Sequence, residues 1–179
     1  IGFRAPGAQE LGVKFLEFLQ ERLRLAGIYQ DPDLRRQRHP AELGDAILKK
    51  FRRLLDQLDW SAADVERFLG CYLSEPKAGV VFDRPRRPLA AADFARRAAR
   101  EGLRLALPTR MLFRDGTFFV NGEVHDVPGR VARTLRRLAD EGRLQPGEIG
   151  DRASAAWLYQ WYRLGYLQLA NRRSRHQPQ

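Results

Sequence analysis

The stretch "RMLFRDGTFFVNGEVHDVPG", residues 110–129, decides the fold of the chain's second half. It carries two turn dipeptides, Asp115-Gly116 and Asn121-Gly122, separated by only Thr117 to Val120. Asn, Asp and Gly tolerate the positive φ that a two-residue hairpin turn requires, so each dipeptide reverses an antiparallel strand. The segment is predicted to be a three-stranded meander.

Working outward, "AADFARRAAREG" (residues 91–102) reads as a short helix stopped by Gly102, and "LRLAL" behind it alternates with period two. After the meander, "GRVARTLRRLADEG" is a helix whose inner face holds Val131, Leu135 and Leu138. An aromatic helix follows from Asp151 to Leu164, ended by Gly165, and "YLQLA" closes as a strand. The order helix, strands, helix, helix, strand resembles a winged-helix domain of some 80 residues.

Upstream, Leu11, Phe15, Phe18, Leu19 and Leu23 recur at helical spacing over residues 10–25, with Val13 and Leu16 widening the apolar surface. A second helix is expected from Pro40 to Leu58. Its stripe of Leu43, Ile47, Phe51, Leu54, Leu55 and Leu58 faces away from Lys49, Lys50, Arg52 and Arg53. Ser61 and Asp64 form the start signal of a third helix, with Val65, Phe68, Leu69 and Tyr72 on its inner face. Three prolines and four cations make "PKAGVVFDRPRRP" (residues 76–88) an extended linker. The expected fold class is therefore mainly α with a small antiparallel β component. The expected organisation is a strand remnant at 1–9, a helical region at 10–75, a linker at 76–91, a winged-helix-like domain at 92–171 and a disordered tail at 172–179.

No apolar run approaches the roughly 20 residues of a membrane span, so a soluble, cytoplasmic protein without membrane partners is expected. A lone Cys71 excludes a disulfide framework and reads as a small apolar residue on a helix. The net charge of +10 raises nucleic acid as a partner. An Arg-rich, Lys-poor composition of this kind also follows from a GC-rich genome. Arg130, Arg133 and Arg137 share one helix side and are the candidate phosphate contacts, with a solvated face the favoured alternative. In a winged helix the groove-entering element is the helix at 151–164, which carries only Arg152 and Arg163 among aromatics and reads as packing against protein.

Catalytic patterns are missing. His39, His125 and His176 fall in no metal-binding spacing, and adjacent His125 and Asp126 on a strand point to opposite faces. No phosphate loop, nucleophile elbow or nucleophile pair is present. No catalytic, cofactor-binding or metal residue is assigned to this segment.

"IGFRAP" at residues 1–6, "IYQDPDL" at 28–34, "RHPAEL" at 38–43 and "LYQWYRLGYL" at 158–167 together resemble the C-terminal half of the JmjC/cupin ribosomal oxygenases, whose bacterial members hydroxylate an arginine of a ribosomal protein. The resemblance implies that Gly2 to Pro6 is the last strand of a catalytic barrel, and that Tyr29 to Asp33 is the turn of a dimerisation region. It implies an Fe(II)- and 2-oxoglutarate-dependent parent whose iron ligands lie upstream of Ile1, with no cofactor in this segment and a ribosomal protein as the parent's substrate. The wide apolar faces then predict a homodimer through Leu11, Phe15, Phe18, Leu19, Phe51 and Leu54. The competing reading is a stand-alone basic winged-helix regulator that binds nucleic acid and dimerises through the helical arm.

Overall fold

The computed structural model describes residues 6–23, 39 and 41–170. Residues 1–5 of the expected strand remnant at 1–9, the turn at 29–33, Pro40 and the tail at 172–179 lie outside the described residues, and Ala8 and Gln9 of that remnant are helical. The chain divides between Phe68 and Leu69 into two compact units.

The first unit is helical. Helix α1 (Ala8–Arg22) and helix α2 (Asp45–Leu55) precede α3 (Ala62–Ser74), within which the division falls. Helix α2 is shorter than the expected 40–58: Gly44 is extended, with φ −71° and ψ 150°, and caps it from outside. The start of α3 follows its sequence signal. The Ser61 N–H donates to Asp64 Oδ2 at 2.9 Å, and the Asp64 N–H donates to Ser61 Oγ at 3.2 Å. These reciprocal bonds satisfy two donors that a helix leaves unpaired and hold the Asp64 carboxyl below its ordinary pKa. The inner face of α3 is rotated from expectation, since Val65 is 37% exposed whereas Gly70 and Ser74 are buried. Gly70 is required there because the Phe119 ring lies flat against its Cα, leaving no room for a side chain.

The second unit is a winged-helix fold. Helix α4 (Ala91–Glu101) leads into β1 (Leu103–Leu105), and then come β2 (Met111–Arg114), β3 (Thr117–Val120) and β4 (Glu123–Asp126). The last three form the expected meander in the order β2-β3-β4, with Phe118 opposite Phe113 and His125. Asp115 and Asn121 take φ of 51° and 53°, as their turns require. Helix α5 (Gly129–Glu141), β5 (Arg143–Leu144), α6 (Arg152–Leu164) and β6 (Leu167–Leu169) complete the unit. The sequence gives no sign of β5, which has too few residues for any periodicity. It pairs with β1, which also pairs with β6, giving the antiparallel order β5-β1-β6.

The core lies among α4, α5, α6 and both sheets. Phe94, Phe118, Leu135, Leu138, Leu158 and Trp161 are fully covered there. Truncating Phe94 or Trp161 to alanine is expected to cost about 3–5 kcal/mol each. Asp151 caps α6 by accepting the Ser154 N–H at 2.8 Å, and Gly165 ends it in the left-handed region at φ 81°. The aromatics of α6 are spent inside this unit. Tyr162 stacks on Phe94 with ring centroids 4.8 Å apart, and Trp157 and Trp161 flank His125.

Residues 76–88 contain no regular helix or strand, but residues 82–89 are docked rather than free-running. Phe82 meets the edge of Tyr166 at 4.8 Å. The Leu89 carbonyl accepts the Tyr159 hydroxyl at 2.9 Å, and its N–H reaches the Tyr162 hydroxyl at 3.5 Å. The backbone of Asp83 and Arg84 rests on Gly165. Another link ties the end of α3 to the meander, where the buried Ser74 Oγ accepts the Gly122 N–H at 3.0 Å.

Candidate functional site

Three surfaces can carry function, and the first is the apolar side of the helical unit. Neither α1 nor α2 has a buried residue. Phe15 and Phe18 point inward, with centroids 5.2 and 5.7 Å from that of Phe68, and Trp60 meets Phe15 edge-on. Leu11, Leu19 and Leu54 are half-buried. Leu16 is 64% exposed and Phe51 55%, and Val13, Leu48 and Leu55 are also exposed. Amphipathic helices with outward apolar residues of this size have an unfilled packing requirement.

The second surface is the arginine side of α5. Arg130 Nε lies 3.7 Å from the carboxylate of Asp151, and Arg137 Nη1 lies 2.6 Å from that of Glu148. Arg137 also approaches Glu141 at 3.6 Å, so its charge is shared between two carboxylates. Arg136 donates to the Asp115 carbonyl and lies over the Phe113 ring. Arg133 is exposed and has no carboxylate partner among the described residues. Two of the three candidate phosphate contacts thus lie beside carboxylates remote in sequence, and among the described residues only Arg133 of the three has no carboxylate beside it.

The third surface is a groove in the second unit, walled by residues that the sequence alone presents as a linker. It encloses about 640 Å³. Arg84, Arg86, Arg87 and Arg97 line it together with Asp83, over a base that includes Leu89, Tyr162, Leu167 and Leu169. Arg97 is occupied by a two-pronged pair with Glu101 at 3.0 and 3.1 Å. Arg97 and Arg100 cover the Glu101 side chain and hold its pKa down to about 2. Arg84, Arg86 and Arg87 are exposed and make no ion pair among the described residues. The clue in the sequence is the run "DRPRRP", whose prolines signal a linker more loudly than its cations signal a site.

The groups that could hold a metal do not converge. Among the described residues no three His, Cys, Asp or Glu side chains are grouped to bind one. His125 packs edge-on against Trp161 at 5.4 Å, and its Nε2 is covered without a hydrogen bond. Burial there pushes its pKa below the ordinary 6.5, partly opposed by Glu123 and Asp126. Asp126 instead accepts the Thr117 hydroxyl at 2.7 Å. His39 is exposed, and His176 lies outside the described residues. These residues therefore do not fit an iron site. Among the described residues no helix is long and apolar enough to cross a membrane.

Residues 54–168 match the sequence profile of the family described as ROXA-like winged helix. A curated relative, the ribosomal protein uL16 3-hydroxylase of Escherichia coli strain K12, is 26% identical over 152 residues, which is 84% of this chain and 40% of the relative. Among solved structures, YcfD, a ribosomal oxygenase from Escherichia coli, is 25% identical with a TM-score of 0.69, covering 94% of this chain and 48% of that one. The same oxygenase in complex with cobalt and 2-oxoglutarate matches with a TM-score of 0.69 and 25% identity, covering 94% of this chain and 47% of that one. The chain thus spans about two fifths of the curated relative's length and about half that of the solved chains.

Proposed function

The chain belongs to the ROXA-like winged-helix family, and on that premise we propose that it is the dimerisation and winged-helix part of an Fe(II)- and 2-oxoglutarate-dependent ribosomal oxygenase. The observation that carries this reading is the coverage of 94% of the chain by the solved ribosomal oxygenase, together with the family match. The parent's substrate is a ribosomal protein, uL16 being the one named for the relative, and its place of action is the cytoplasm. Its chemistry, hydroxylation of an unactivated C–H bond, is supplied by iron and 2-oxoglutarate held outside this segment.

Within this reading the helical region at 10–75 pairs with a second copy, residues 76–91 connect, and residues 92–171 form the winged-helix domain. Support for the dimer comes from α1 and α2, which bury no residue of their own and leave Leu16 and Phe51 more than half exposed. Phe15 and Phe18 then act from behind, bracing α1 on Phe68, while Leu11, Leu19 and Leu54 form the margin.

The test is to express the encoding reading frame from its own start and follow 2-oxoglutarate turnover with a ribosomal-protein substrate. Turnover dependent on iron and substrate is expected from that protein, and none from residues 1–179 alone. A reading frame without an upstream His-x-Asp, or turnover by the 179-residue chain, would overturn the proposal. The rival reading of α5 as a phosphate-contacting helix lacks a favouring observation, because Arg130 and Arg137 are already paired.

A further inference from the structure

We propose that the groove walled by Arg84, Arg86 and Arg87 binds the phosphate backbone of single-stranded RNA. This does not rest on the oxygenase reading. The first observation is where the charge lies. Residues 1–68 carry 12 basic and 11 acidic side chains, whereas residues 69–179 carry 20 basic and 11 acidic, so nearly all of the +10 belongs to the second unit. Basic residues are about equally dense in both units, and it is the carboxylates that thin out in the second.

The second observation is how the surplus is compensated. On α4, Arg96 pairs with Asp93, while Arg97 and Arg100 share Glu101. Arg137 and Arg130 are matched across the unit. Arg84, Arg86 and Arg87 are the cluster that faces a concavity with only Asp83 as a carboxylate in its lining. Three guanidinium groups held beside a groove create a focused positive field and present planar forks suited to phosphate oxygens.

Geometry favours a nucleic-acid strand over an acidic peptide. The segment turns at Phe82–Arg84, where the Arg84 N–H donates to the Phe82 carbonyl at 2.9 Å, and bends at Arg86 and Arg87, so the three arginines cluster at the groove as a compact site for a polyanion. Pro85 and Pro88 have no N–H and the Arg84 N–H is already taken by the Phe82 carbonyl, so this wall offers an incoming peptide strand few donors. Tyr162 and the leucines 89, 167 and 169 supply an apolar base for sugar and base faces. The wall is held in place by Gly165, Tyr166 and Tyr159, so the arginines are partly pre-organised.

The experiment titrates the 179-residue chain against a fluorescein-labelled 20-nucleotide single-stranded RNA across potassium chloride concentrations, with a labelled poly-glutamate peptide as a second probe. Three backbone contacts predict a slope of about −2 in log K against log salt, close to a 20-fold loss between 50 and 200 mM. Substituting Arg84→Gln, Arg86→Gln and Arg87→Gln together should lower RNA affinity at least about tenfold at 50 mM and flatten the slope by about 2. A control of equal charge, Arg133→Gln with Arg143→Gln and Arg152→Gln, should keep most of the affinity. Circular dichroism melts of both variants verify folding. No RNA binding at low salt, equal losses in both variants, or tighter binding to poly-glutamate than to RNA would each overturn the proposal.

Discussion

Replacing Gly165 by alanine should unseat the wall of the basic groove. Gly165 sits at φ 81°, where a Cβ strains the backbone by about 1–2 kcal/mol, offset by about 0.4–1 kcal/mol from the stiffer unfolded chain. The added methyl would also lie 2.9 Å from the carbonyl carbon and oxygen of Asp83 and 3.1 Å from the Arg84 nitrogen. Those are backbone atoms, so they cannot step aside by a rotamer change, and overpacking of this kind costs about 1–3 kcal/mol more. Gly147 supplies the control. It has φ 84°, but a Cβ added there would meet nothing within 4 Å, so Gly147→Ala carries the strain alone. The expected excess of Gly165→Ala over Gly147→Ala is about 2 kcal/mol, or about 10 °C in the melting of a domain this size. Limited trypsin digestion gives a second readout, because in "RPRRP" only the bond after Arg86 is not followed by proline. Cleavage there should accelerate in Gly165→Ala and not in Gly147→Ala. Melting within about 2 °C of the control, with unchanged cleavage, would refute the seating of residues 83–84 on the end of α6.

Other perturbations read other parts of the molecule. Ser74→Ala removes the acceptor of the Gly122 N–H and should cost about 1–3 kcal/mol in urea denaturation. His125 is kept from its proton in the folded state by burial, so the unfolded chain protonates first. Stability should be complete above about pH 6.5 and fall as pH drops from there through the lower folded pKa, a loss that His125→Phe should flatten in urea midpoints between pH 5 and 7. Glu101 acts with the same sign at lower pH: its pKa falls from 4.5 to about 2 on folding, so its contribution is present above about pH 4.5 and fades towards pH 2, and Glu101→Gln should remove that acid dependence. Leu16→Glu combined with Phe51→Glu should reduce the mass in analytical ultracentrifugation from twice 20.6 kDa to a single chain, whereas a monomer before substitution would end the dimer proposal.

What could be read from the sequence was whatever is decided within a few residues. Asn121 and Asp115 take positive φ because their turns demand it, and Ser61 meets Asp64 because three helical positions separate them. The interior of α5 followed from the period of Val131, Leu135 and Leu138. What could not be read depends on partners far along the chain. Gly70 is buried by Phe119, the α6 tyrosines hold Leu89 some 70 positions away, and Phe82 docks on Tyr166. No local period reports such contacts, so residues 82–88 read only as a connector although the fold also makes them a wall of the groove.

The same distinction bears on which arginines matter. Arg130, Arg133 and Arg137 look like a binding face because helical geometry aligns them, but alignment fixes only direction and leaves a charge's compensation open. Asp151 and Glu148 come from the segment after α5 and quench two of the three. Arg84, Arg86 and Arg87 show no helical alignment, yet the fold sets them over a groove with a single carboxylate among its lining residues. A paired arginine at this exposure gives up little when its carboxylate is displaced, but the nearby carboxylate weakens the positive field that draws a phosphate in. An unpaired one gives up only water and counterions, and release of those counterions is what drives association with a nucleic acid. The affinity of this surface for phosphate should therefore follow the number of uncompensated arginines at the groove rather than the net charge of the chain.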